Sequence, residues 1–161
     1  MKNNKGVTLV TLVVTIVVLL IISGITSNLS NEIIKQAKLQ DLKTNMLLIQ
    51  AKAKTLAEEV NFETANLDKT KETDLTKINE IKGTKLIGTA LDACEDDIKT
   101  AATDAGVEDT TDFYYLSQEN LSQMGINIEV TEGAYYLVKY NFEDTEVVYT
   151  KGYKYEDETY Y

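Results

Sequence analysis

Four residue types are missing from this chain of 161 residues: histidine, tryptophan, proline and arginine. Cysteine occurs once, as Cys94. These gaps remove most of the side chains that hold transition metals or attack substrates, leaving carboxylates, lysine and tyrosine for any catalysis. The sequence marks no carboxylate pair for such work and no glycine-rich phosphate loop. The expectation is a protein that is not an enzyme and carries no cofactor. One cysteine also excludes an intrachain disulfide, and the lack of proline leaves helical stretches uninterrupted.

Acidic residues are missing too, but only from the front: none precedes Glu32, and Lys2 and Lys5 are the only charges before it. Residues 32–161 hold 14 lysines against 26 acids, a net charge of −12. Such a surface repels phosphate backbones, so no direct nucleic-acid partner is expected. It suits an exposed, soluble head.

The uncharged front is "KNNKGVTLVTLVVTIVVLLIISGIT" after its leading lysines, and Val7 to Ile22 is almost wholly Val, Leu, Ile and Thr. As a helix, Val7 to Ser27 spans roughly 31 Å, the thickness of a bilayer's hydrocarbon core. Lys2 and Lys5 favour a cytoplasmic N-terminus, which puts the acidic part on the far side of the membrane. The alternative is a secretory signal cut near Ser23, Gly24 or Ser27, although the apolar run is longer than such signals need.

Helical periodicity continues beyond it. Leu39, Leu42, Met46, Ile49, Ala53, Leu56 and Val60 recur at alternating steps of three and four, the mark of a helix with one buried face. Lys38, Asp41, Lys43, Lys52, Lys54, Glu58 and Glu59 fill the other faces. The pattern predicts one helix of about 53 residues, roughly 80 Å long, apolar all round in its first half and amphipathic in its second.

The stretch "KGVTLVTLVVTIVVLLIISGI" resembles the N-terminal segment of type IV pilins and of the pseudopilins of type II secretion and DNA-uptake machines, in the Thr-Leu-Val variant found in Gram-positive bacteria. The resemblance covers about the first 25 residues closely and the long helix loosely. It implies a membrane-embedded prepilin peptidase as a partner, cutting between Gly6 and Val7 and N-methylating Val7. Residues 1–6 would then be a leader, 7–27 a transmembrane and assembly half-helix, 28–60 an amphipathic half-helix and 61–161 a globular head. The implied home is the cell membrane and, after assembly with other pilin or pseudopilin subunits, an extracellular filament. Family members mostly carry Phe or Met at the first mature position and Glu at the fifth; here these are Val7 and Thr11. That Glu is thought to pair with a neighbouring subunit's terminal amine, which threonine cannot neutralise. Thr8, Thr11 and Thr15 share one helical face, so they are candidates, with Val7, for packing against a neighbouring helix; tolerated lipid-facing threonines are the plainer alternative.

The head reads as α+β, a small antiparallel meander covered by the long helix. Asn61 to Asp74 is expected as a loop and Leu75 to Ile81 as a short helix. Ile87, Leu91, Cys94, Ile98, Ala101 and Ala105 recur at helical steps and end at Gly106, predicting a helix that packs on the long helix or on the sheet. Cys94 falls on that stripe, which favours a small buried hydrophobe over a reactive thiol. Phe113 to Leu116 reads as a strand, followed by a brief helix capped by Ser117 and closed by Gly125. Asn127 to Val130, Ala134 to Phe142 and Thr145 to Thr150 read as consecutive strands, with Tyr136, Val138, Tyr140 and Phe142 on one face and Val147 and Tyr149 on the corresponding one. "YNFEDTEVVY" and "YKYEDETYY" echo each other and place Glu143-Asp144 and Glu156-Asp157 at turns, the second in a final hairpin.

Eight of the ten tyrosines lie between 135 and 161. They suit either a half-buried sheet or a contact surface. Acidic clusters at Glu95-Asp96-Asp97, Glu108-Asp109 with Asp112, and Glu156-Asp157-Glu158 lack the spacing of a known calcium loop and read as solvated charge. The leading functional expectation is a structural filament subunit; a tip-located binding subunit and an unprocessed single-pass anchored protein are the alternatives.

Overall fold

A computed structural model describes the backbone of residues 5–161 and the side chains of residues 13–20 and 31–161. Two compact units divide at Gln40/Asp41, inside one helix, α1 (Lys5–Thr64). The helix runs four residues past its expected end at Val60. Near that end the Thr64 hydroxyl donates to the Val60 carbonyl one turn back at 2.8 Å.

In the unit of residues 41–161 the chain builds three layers. After α1 come α2 (Glu72–Lys85), β1 (Thr89–Ala90), a 3₁₀ turn at Leu91–Ala93 and α3 (Asp96–Asp104). β2 (Phe113–Leu116), α4 (Gln118–Gln123), β3 (Tyr136–Lys139), β4 (Glu146–Tyr149) and the hairpin of β5 (Tyr153–Tyr155) and β6 (Glu158–Tyr160) follow. β1 to β4 form an antiparallel sheet in chain order, and β5 and β6 pair separately. The fold is α+β, as expected.

Both sheet faces are covered, not one. Successive strand residues point to opposite faces. Leu116, Tyr136, Val138 and Tyr140 meet Leu42, Ile49, Ala53 and Ala57 of α1 on the first face, together with α4. Phe113, Leu137 and Val148 meet Leu91, Cys94, Ile98 and Ala102 on the second, where α3 is the cover. The expected stripe of α1 is therefore the core side: Leu42, Ile49, Ala53 and Val60 are buried, with Met46 and Leu56 partly so.

Several expectations are corrected. The helix expected from Ile87 to Ala105 is a short strand, a 3₁₀ turn and α3. Gly88 is the reason: its φ of +122° is hostile to side chains, and a Cβ there would lie 2.7 Å from the Tyr115 carbonyl oxygen. The backbone of residues 88–90 must therefore run against β2, and helix resumes only at Asp96. It closes as expected at Gly106, where the Gly106 and Val107 amides donate back to the Thr103 and Ala102 carbonyls. The loop expected over 61–74 contains the end of α1 and the start of α2. α2 is longer than the expected Leu75–Ile81 because its ends suit a helix dipole, with Glu72 and Asp74 in the first turn and Lys82 and Lys85 in the last.

Asn127–Val130 is not a strand. The Gln118 side chain takes the place of a partner strand, donating to the Ile128 carbonyl at 2.6 Å and accepting from the Val130 amide at 3.1 Å. β2 fills the neighbouring position in the sheet instead. Phe142 lies beyond β3 and is exposed, so it leaves the face expected for it, whereas Tyr136, Val138 and Tyr140 keep theirs. Ser117 caps α4 as expected, in a reciprocal box with Asn120. The final hairpin turns at Glu156 and Asp157, also as expected.

Candidate assembly surfaces

Large apolar side chains stand exposed at several places along α1. In the N-terminal unit, Val13, Val14, Ile16, Val17, Val18, Leu19 and Leu20 are each 45–68% exposed. These seven, with Thr15 among them, occupy eight consecutive helical positions and so cover every direction around the axis, leaving Thr15 as the single polar side chain to turn to water. Surface of this kind marks a partner or a membrane. Ile33 and Ile34 extend the exposed apolar surface within the same unit.

Of the residues expected to work in processing and assembly, Thr15 falls among the described side chains; it is exposed and engaged in an interaction. Of Gly6, Val7, Thr8 and Thr11 only the backbone is described, so the threonine face is not assembled here. Among the described residues no helix is long and apolar enough to cross a membrane. Of the expected span, 7–27, only the side chains of 13–20 belong to that set.

Within the unit of residues 41–161, α1 carries a second set of apolar residues opposite its buried stripe. Leu47, Leu48 and Phe62 are 64%, 44% and 82% exposed. A loop from Asn61 onward would hide Phe62; carrying the helix one turn past Val60 places it opposite the buried stripe.

A cleft of about 390 Å³ opens between the end of α1, α2 and the segment after β3. Its floor includes Ala57, Val60, Ile78 and Tyr140, all buried, and its rim includes Leu75 and Phe142, both exposed. The Tyr140 hydroxyl donates to the Ile87 carbonyl at 2.8 Å, and burial pushes its pKa well above the ordinary tyrosine value. Beside the cleft, Lys82 Nζ lies 3.0 Å from Asp112 Oδ1, and Asp112 sits at a φ of +59°. Lys85 joins α2 to α1 through Glu63 at 2.8 Å and Glu59 at 3.5 Å, and the Glu63 contact raises its pKa. These pairs fix α2 in place. They present no nucleophile with an adjacent base.

Cys94 is buried in the second core, its Sγ 3.4 Å from the Ala90 carbonyl oxygen, and burial raises its thiol pKa. Asp97 of the first acidic cluster accepts from the Tyr135 hydroxyl at 2.8 Å. Among the described residues no group of three or more His, Cys, Asp or Glu is arranged to hold a metal ion. Most C-terminal tyrosines belong to the sheet and its hairpin: Tyr136 and Tyr140 are buried, Tyr149 and Tyr153 half-buried, and Tyr160 lies under the Lys43 ammonium, 4.3 Å from the ring centre. Comparison with known proteins finds no matching family model, no matching characterised protein and no matching solved structure.

Proposed function

We propose that this chain is a structural subunit of the type IV pilin and pseudopilin kind, held in the membrane through its N-terminal helix and then packed with its neighbours into a filament. The observation that carries the reading is a single helix with two different halves. Its residues 13–20 are apolar and exposed except for Thr15, and its later residues form one wall of the α+β core. A segment that is apolar all round is equally at home in lipid and against other helices, and so serves both as anchor and as assembly element. Prepilin peptidase acts between Gly6 and Val7; Val7, Thr8, Thr11 and Thr15 face neighbouring subunits; lipid surrounds the segment before assembly. The acidic head stands outside the cell membrane, and it binds no nucleic acid directly.

Mass spectrometry of the mature N-terminus tests this. A chain that begins at N-methylated Val7 is the expected result. An intact Met1, or a start after Ser27, rejects it.

A further inference from the structure

Phe62 is the most exposed large apolar side chain among the described residues, at 82%. It stands in the last turn of α1, about 160° around the axis from Val60, which forms part of the cleft floor. Knob and cleft thus occupy opposite sides of one turn, and a chain cannot fill its own cleft with its own Phe62. The cleft has an apolar floor and, in Leu75 and Phe142, apolar rim residues, interleaved with polar ones such as Asn61, Asn79 and Asn141. Its volume of about 390 Å³ exceeds the roughly 150 Å³ that accommodates a benzene ring.

Charge completes the match. Glu58 lies one turn before Phe62 on the exposed face, and Lys69 lines the cleft. Neither makes an ion pair among the described residues. We infer that Phe62 of one copy seats in the cleft of a second copy, with Glu58 of the first beside Lys69 of the second. Two different patches make the contact, so it is heterologous: every bound pair still offers a free knob at one end and a free cleft at the other, and chains of copies grow instead of closed dimers. The inference goes beyond the filament reading, since it uses neither cleavage at Gly6 nor the 13–20 segment.

The test uses the full chain in detergent micelles, with Phe62→p-benzoylphenylalanine as a photocrosslinker and peptide mapping of the adducts. A ladder of crosslinked species with adducts on Leu75, Ile78 or Phe142 of a second copy is expected. Glu58→Lys should lower the yield about fivefold, and Lys69→Glu in the same chain should restore it. In sedimentation, Phe62→Ala should weaken self-association about tenfold or more. Adducts confined to detergent, to the same chain or to another surface overturn the contact, as does a ladder indifferent to Glu58→Lys. An N-terminus lacking methylated Val7 would sink the filament reading and leave this result standing.

Discussion

Residues 13–20 and residues 42–60 belong to the same helix and draw on the same aliphatic alphabet, yet they meet opposite fates. In the later segment an apolar residue recurs every third or fourth position on one face, charged residues and the exposed Leu47 and Leu48 take the others, and the sheet covers the stripe until Ile49 and Ala53 are fully buried. In the earlier one the apolar residues are so dense that no single face of the fold could cover them, and they stay exposed. An apolar stripe specifies a fold, whereas an apolar cylinder specifies an environment. Residues 13–20 therefore lack, among the described residues, the cover that residues 42–60 obtain from the sheet.

Matched truncations test that contrast most strongly. Ile49→Ala should destabilise the head by about 2–5 kcal/mol, the range for emptying a tightly packed aliphatic site, while Ile16→Ala should leave the head's thermal midpoint unchanged. Near-ultraviolet circular dichroism of the tyrosines reports both. Equal effects would mean that the two halves share one cooperative unit.

A smaller effect comes from pH. Burial pushes the Tyr136 hydroxyl up to about 12, so the folded head holds a proton that the unfolded chain releases near 10. Stability is complete below pH 10 and falls as pH rises towards 12, by roughly 2 kcal/mol for this residue. Denaturant melts at rising pH should show the loss, and Tyr136→Phe should reduce it. No group with a raised pKa of this size stands among residues 13–20, so alkali should weaken the head selectively.

The smallest effect concerns local signals. Ser117→Ala removes the cap of α4 and should cost about 1 kcal/mol in a thermal melt. Because α4 supplies Leu121 to the core beside α1, the loss should appear in the cooperative transition of the whole head. A fraying of α4 alone would separate that helix from the core.

Elements with strong local chemistry were legible in advance: the stripe of α1, the Ser117 cap, the glycine stops at Gly106 and Gly125, β2 and the final hairpin. The misread ones were those where distant atoms outvote periodicity. The Ile87–Ala105 repeat is helical on paper, but the Tyr115 carbonyl leaves room only for Gly88 in an extended backbone. Residues 127–130 have strand composition, and a glutamine side chain ten or so positions earlier takes their hydrogen bonds. As for function, Gly6 and Val7 stand out by resemblance and Thr8, Thr11 and Thr15 by helical spacing, while Phe62 and the cleft do not stand out, since a knob and a socket are defined by what fails to cover them.

By itself the sequence determined that α1 exists and where it changes character, because helix formation and amphipathicity depend on residues a turn apart. It likewise determined that no intrachain disulfide can form, which follows from a single cysteine. Only the tertiary structure decided that the sheet is covered on both faces, that Phe142 leaves the core and that a cleft opens beside α2. Those outcomes depend on contacts between segments tens of residues apart, where packing volume and unsatisfied backbone groups outweigh local preference.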